Sequence, residues 1–286
     1  MVEYRLPKPG VVGSSPIARS NLHIMKNWFL IIEPDPLPGS RNMAVDEFLF
    51  ERARRTPSTF LRFYRWIRPT ASLGYGQSAD RAVDIDFCRA HGVDVVRRMT
   101  GGKVVLHHRE LTYSLASSDV ETFTATLSDS YKLISRALVL GLESMGLAAQ
   151  MAAQSPPAYI RKTMPCFAFP ARDEIEIDGL KIIGSAQKRT GSSFVQHGSV
   201  PLENDQALLK SVARTEAEAE DVHMTSLSEA LRRPVDFAWA AERFADGFSR
   251  FFGAGLTPIA LGAGDAEEVS LIESARYGND AWTLRR

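Results

Sequence analysis

The dipeptide Asp178-Gly179 stands between two runs of strand-like residues, "EIEI" and "LKIIGSA", and it limits the possible folds more than any other feature of the chain. Asp-Gly favours a two-residue hairpin turn because both positions take positive φ, which a short acidic side chain and a glycine tolerate. The two runs therefore pair antiparallel, and a sheet that contains them cannot be purely parallel.

On either side the period changes from two to about 3.6. "GSRNMAVDEFLFERARR" places Met43, Phe48 and Leu49 at helical spacing, and "FAWAAERFADGFSRFFG" does the same with Phe237, Ala240, Phe244, Phe248 and Phe251. The strongest helical pattern covers residues 126–146, with Leu127, Tyr131, Ile134, Leu138, Leu142 and Met145 on one side and Gly146 at the end. "WFLIIE", "TFLRFYRW", "TASLGYGQ", "VDVVRRM", "KVVLHH", "LTYSLASS" and "SSFVQHGSVPL" read as strands, with "TFLRFYRW" alternating. "DIDFCRAHG" reads as a short helix closed by Gly92, with Cys88 in its apolar side beside Phe87. The expected architecture is one α/β (α+β) domain over residues 25–286, a mixed or antiparallel sheet flanked by helices, mostly helical from about residue 203 to 286. Residues 152–165 have no period and three prolines, which marks a long loop of the kind that usually carries function.

Formal net charge is zero, so no electrostatic footprint of a nucleic-acid or membrane-surface binder is present. Two cysteines are too few for a disulfide framework or a cysteine zinc site. No apolar run approaches the roughly 20 residues needed to span a bilayer. These readings point to a reduced, cytoplasmic protein without nucleic-acid or membrane partners. Residues 1–24 are rich in Pro, Gly and Ser and lack the apolar core of a signal peptide. Gly13 to Pro16 reads as a translated tRNA T-arm (GGT TCG AGT CCC), so the start is expected at Met25; a disordered extension is the alternative.

Three clusters carry candidate chemistry. In "RRMTGGKVVLHHRELTYS" a strand ends in arginines and turns through Gly101-Gly102, where backbone can approach a ligand closely and Arg98 could hold a carbonyl or an anion. An ordinary Gly-Gly turn with surface arginines reads the same way. In "GLKIIGSAQ" the small residues Gly184, Ser185 and Ala186 interrupt a strand, which marks a bulge or a close approach. Lys181 lies between Leu180 and Ile182; it either points outward or, if inward, requires an anionic partner or a lowered pKa. Cys166 leaves the Pro-rich loop between Pro165 and Phe167, either as a small buried residue or as a thiolate nucleophile favoured by a nearby ammonium.

Taken in order, "NMAVDEFLF", "LRFYRW", "RRMTGGKVVLH", "ELTYS", "PCF", "DGLKIIGSAQKR" and "QHGSVPL" resemble the biotin/lipoate protein ligase superfamily over residues 28–286. The resemblance implies a catalytic fold like that of class II biotin ligases, binding a fatty-acyl chain and a carrier protein. ATP-dependent members commonly read His-Asp and then Gly-Asn after the glycine turn, where this chain reads "LHHRELTYS". Its "PCF" is similar to the cysteine-dependent octanoyltransferases of lipoate synthesis. Their cysteine corresponds to Cys166 and their lysine to Lys181. The turn itself departs from relatives in reading "GGKVV" rather than "GGRAV" or "GGGAV".

The resemblance implies acyl transfer from the phosphopantetheine of acyl carrier protein, through a Cys166 thioester, to a lysine of a lipoyl-domain protein. The acceptor would be a lipoyl-domain protein such as glycine cleavage H protein or a 2-oxoacid dehydrogenase E2. It implies no cofactor, with ATP and Mg needed only by a ligase. Arg98, Thr100, Gly101 and Gly102 would place the acyl carbonyl, and Gly184, Ser185 and Ala186 would wall the acyl tunnel. His107 and His197-Gly198 would line the site, although a purely structural histidine fits each position nearly as well. A lipoate ligase, an amidotransferase between lipoyl domains and a non-catalytic acyl- or biotin-binding module remain alternatives.

Overall fold

The computed structural model describes residues 27–123, 126–153, 174–214 and 223–285. Residues 1–24 and Cys166 lie outside the described residues. In chain order the elements are β1 (Trp28–Ile32), α1 (Gly39–Arg55), β2 (Thr59–Tyr64), β3 (Thr70–Leu73), α2 (Ala79–Ala82), α3 (Ile85–Ala90), β4 (Asp94–Arg97), β5 (Val105–His107), β6 (Glu110–Ser117), α4 (Leu127–Ser144) and β7 (Gln150–Met151). They continue with β8 (Ile175–Ile177), β9 (Leu180–Thr190), β10 (Ser193–Pro201), α5 (Gln206–Val212), α6 (Leu227–Leu231), α7 (Phe237–Phe252), β11 (Leu256–Pro258), α8 (Ala263–Ile272), a π-helical turn (Glu273–Tyr277) and α9 (Asp280–Thr283).

Among the described residues the strands form an eight-stranded sheet, ordered β11-β1-β2-β6-β10-β9-β8-β7, and a three-stranded sheet, ordered β4-β3-β5. β11, β1 and β2 run parallel, whereas β2, β6, β10, β9 and β8 alternate direction, so the sheet is mixed. The turn joining β8 to β9 has Asp178 at φ 51 and Gly179 at φ 78, the backbone that the dipeptide demanded.

Helices cover both faces of the large sheet. Phe244 and Phe248 of α7 and Ile134 and Leu138 of α4 share one core with Trp28, Phe63 and Tyr113. Met43, Phe48 and Leu49 of α1 share the other with Ile31, Phe60 and Tyr277. This cover explains why the alternation expected of "TFLRFYRW" does not appear as an exposed face: all six residues of β2 are buried, as in any strand enclosed on both sides. α4 and α7 approach at glycines, since a Cβ on Gly247 would lie 2.5 Å from the Gly141 nitrogen.

Thr126 and Asp236 cap α4 and α7 by accepting from the backbone N–H three residues on, and Gly253 ends α7 in the left-handed region. Leu127 departs from its expected place: it is solvent-exposed, because the first turn of α4 projects past the edge of the core. The C-terminal part is mostly helical and also supplies β11, an edge strand whose three residues, Leu-Thr-Pro, did not announce it.

Candidate active site

One cleft is lined by Arg98, Gly102, His107, Lys181, Gly184, Ser185, Ala186, His197 and Gly198. Among the described residues, two of those singled out in the sequence do not line it. Thr100 is buried behind His197, and Gly101 faces outward.

Lys181 points inward. Opposite β8 the register of β9 shifts, with Ile175 paired to Ile183 but Glu176 to Lys181, and this bulge re-aims the side chain. The chain segment around Met224 lies alongside, donating Thr225 N–H to the Lys181 carbonyl (2.9 Å) and accepting from its N–H at His223 O (2.9 Å). The Lys181 ammonium meets Glu174 Oε2 at 2.7 Å, and both side chains are buried. The anionic partner that an inward lysine requires is thus present.

Both histidines have their two ring nitrogens engaged. His197 Nδ1 lies 2.9 Å from Asp46 Oδ2 and its Nε2 lies 2.7 Å from Thr100 Oγ1. Burial alone would raise the Asp46 pKa, but the His197 hydrogen bond and the Arg62 charge outweigh it and hold the carboxyl below its ordinary range. An ionised carboxylate only accepts, so Nδ1 carries the proton; burial lowers the His197 pKa, and in the neutral ring Nε2 accepts from the Thr100 hydroxyl. His107 Nδ1 lies 2.7 Å from Glu110 Oε1, its Nε2 lies 2.8 Å from Ser72 Oγ, and its ring stacks on Trp66 with centroids 4.1 Å apart. These histidines hold the cleft walls in place.

Arg98 is occupied in the same way. It donates to Ser72 O (2.7 Å), Gly101 O (2.8 Å) and Lys103 O (2.7 Å), so its guanidinium stitches the glycine turn to β3. The turn also rests on Gly74, whose hypothetical Cβ would lie 1.9 Å from Gly102 O. The buried Arg97 donates to the carbonyls of Gly74 (3.0 Å) and Gln77 (2.6 Å) on one side and of Thr283 (3.1 Å) and Arg285 (2.8 Å) on the other. The C-terminal residues thereby brace the loop on which the turn sits.

Sequence reasoning missed Asp46, Arg62, Glu110, Tyr113 and Glu174. Arg62 is fully buried and joins Asp46 Oδ1 (2.9 Å) to Glu33 Oε2 (2.7 Å), while Tyr64 donates to Asp46 Oδ2 (3.0 Å). The available signal was weak: Asp46 is one of several charged residues of an amphipathic segment, and Arg62 is the one charge in the otherwise mostly apolar "TFLRFY". Cys88 is buried in α3, and burial pushes its thiol up to about 11, which makes it inert at neutral pH.

Over residues 38–249 the chain matches the lipoyl protein ligase A/B catalytic domain. It is 36% identical to octanoyltransferase LipM of Symbiobacterium thermophilum over 280 residues, which cover 91% of this chain and 99% of the relative. Two solved structures share the fold. A lipoate-protein ligase A bound with ATP superposes with a TM-score of 0.78 at 19% identity, covering 90% of this chain and 98% of the other. A bi-partite lipoate protein ligase from Thermoplasma acidophilum, studied with its E2 lipoyl domain, superposes with a TM-score of 0.75 at 20% identity, covering 92% and 98%.

Proposed function

The chain belongs to the lipoyl protein ligase A/B catalytic-domain family, and we propose that within it the protein is an octanoyltransferase of protein lipoylation. The donor is octanoyl-acyl carrier protein and the acceptor a lysine of a lipoyl-domain protein, such as glycine cleavage H protein or a 2-oxoacid dehydrogenase E2. The observation that carries the reading is the inward Lys181, whose ammonium is fixed by Glu174 at the wall of the cleft formed with Gly102, His107 and Ser185.

In this reading the Cys166 thiolate attacks the thioester carbonyl, the C=O electron pair moves to oxygen, and its return expels the phosphopantetheine thiolate, which takes a proton. The acceptor amine attacks the new thioester in the same manner, loses a proton and leaves an amide with the thiolate restored. A thioester lies above an amide in free energy, so the sequence runs without a nucleotide. Lys181 supplies positive charge to the thiolate and to the developing oxyanion. The backbone of the Gly101-Gly102 turn, held from behind by Arg98 and Thr100, places the carbonyl, and Gly184, Ser185 and Ala186 line the acyl chain.

Intact-protein mass spectrometry after incubation with octanoyl-acyl carrier protein tests the reading. One octanoyl group is expected on the wild type and none on Cys166→Ala. Full transfer by Cys166→Ala, or product formed from free octanoate and ATP, would assign the chain to the ligases instead.

A further inference from the structure

Tyr113 on β6, Gly198 on β10 and Ser185 on β9 stand in register across three adjacent strands, with Gly198 paired to Tyr113 on one side and to Ser185 on the other. Strand neighbours separated by an intervening strand do not ordinarily touch through their side chains. These two do, because the strand between them carries no side chain: a Cβ on Gly198 would lie 2.5 Å from Tyr113 Cε1 and 2.6 Å from Ser185 Oγ. The phenol crosses that gap and meets Ser185 Oγ at 2.7 Å.

The proton order along this line follows from its far end. Gln187 donates Nε2–H to Gln196 Oε1 (3.0 Å), and Gln196 donates Nε2–H to the Tyr113 oxygen (2.8 Å). With Gln196 donating to it, the Tyr113 hydroxyl has Ser185 Oγ as its other partner among the described residues, and we assign its own O–H to that contact. Burial pushes the Tyr113 phenol up to about 12, so it remains a neutral donor at physiological pH. Ser185 is left with its own O–H to give, and Ser185 lines the cleft beside Gly184 and Lys181. Donors arranged in series polarise one another, which makes the last hydroxyl a better donor than an isolated serine.

We propose that Ser185 is a catalytic residue of the acyl-transfer reaction, donating its hydroxyl proton in a hydrogen bond to the thioester carbonyl oxygen of the substrate, and that Tyr113 is the positioning residue that aims and polarises it. The assignment rests on the transfer reading above and adds a named oxyanion donor to it. When the nucleophilic sulfur bonds to the carbonyl carbon, the C=O pair moves onto the oxygen facing Ser185. The hydrogen bond strengthens as that charge grows and relaxes when the pair returns and the carbon–sulfur bond to the carrier breaks. Ser185 keeps its proton throughout, so the hydroxyl acts on the barrier and not on the stoichiometry.

The test is single-turnover acylation of the full chain by octanoyl-acyl carrier protein, followed by intact mass, in wild type, Ser185→Ala, Tyr113→Phe and the double variant. Removing one oxyanion donor lowers the rate constant by about 10²–10³-fold. Ser185→Ala is therefore expected to lose about 10²-fold at saturating donor with KM little changed, and Tyr113→Phe up to about tenfold, the worth of one neutral hydrogen bond. Because Tyr113 acts through Ser185, the double variant is expected to be no slower than Ser185→Ala. The rate of Cys166 alkylation by iodoacetamide is expected to be the same in all four proteins. Wild-type acylation by Ser185→Ala, multiplied losses in the double variant, or slowed alkylation in Ser185→Ala would overturn the assignment while leaving the transfer reading intact. A wild type that takes up no octanoyl group would overturn the transfer reading and the assignment with it.

Discussion

Glu174 Oε2 lies 2.7 Å from Lys181 Nζ across the β8–β9 hairpin, with both side chains withdrawn from solvent. Removing one member of a buried ion pair costs about 3–5 kcal/mol, because the other charge loses the group that offset its desolvation. Glu174→Gln is therefore expected to lower the urea midpoint by a corresponding amount and to abolish most transfer. Glu174→Gln/Lys181→Met removes both charges and is expected to regain much of the stability but none of the activity. Equal stability of Glu174→Gln and wild type in urea titration would show that the pair does not hold the hairpin.

The Asp46–His197 pair makes stability depend on pH in a defined direction. The folded His197 pKa lies below its unfolded value near 6.5, and the folded Asp46 pKa lies below 3.8. In both cases the unfolded chain binds more protons in the interval between the two values, so stability is full above it and is lost as pH falls through it. Melting temperature is expected to decline from about pH 6.5 downward, then more steeply below about pH 4. His197→Gln cannot take up that proton on unfolding and is expected to flatten the first part of the decline. A thermal scan at half-unit pH steps reads both.

Gly198 is required for space and not for an unusual backbone. An added methyl would press on Tyr113, on Ser185 and, at 2.8 Å, on Gly184 O. Overpacking of this kind costs about 1–3 kcal/mol. Gly198→Ala is expected to be destabilised by that amount and to transfer octanoyl poorly, whereas Gly76→Ala, with nothing within 4 Å of the added Cβ, is expected to match wild type in both assays.

Gly74 offers a separate test of the glycine turn. Its added Cβ would fall 1.9 Å from Gly102 O, so Gly74→Ala must displace the turn. A rise of more than tenfold in KM for octanoyl-acyl carrier protein is expected, since the turn would no longer present its backbone to the acyl group. Arg97→Met, which frees the loop from the C-terminal residues, is expected to raise KM in the same direction and to lower the melting temperature.

What could be read along the chain is what neighbouring residues decide among themselves. The α1 helix follows from the spacing of Met43, Phe48 and Leu49, the hairpin from two positions that need positive φ, and the close of α3 from Gly92 at φ 67. The hairpin implies an antiparallel pair and leaves the sheet mixed or antiparallel; the parallel pairing of β11, β1 and β2 that makes it mixed appears only in the structure. The direction of His197 was not legible, because its partners are brought from elsewhere. Lys181 and His107 find Glu174 and Glu110 only seven and three residues away, but whether those pairs turn inward depends on what the fold packs over them. Asp46 is 151 residues from His197, Thr100 is 97 residues from it, and Tyr113 is 72 residues from Ser185. A side chain on an irregular strand can face either way at similar local cost, and the choice is made by the burial energy of the charge or hydroxyl it finds. The amino-acid sequence by itself determined most of the elements, the turn and the residue types available for chemistry. The tertiary structure alone decided that Lys181 turns inward to Glu174, that both histidines are held by buried partners, and that a missing side chain at Gly198 lets Tyr113 reach Ser185. The reason is that desolvation and hydrogen bonding act across space, whereas periodicity and backbone preference act along the chain.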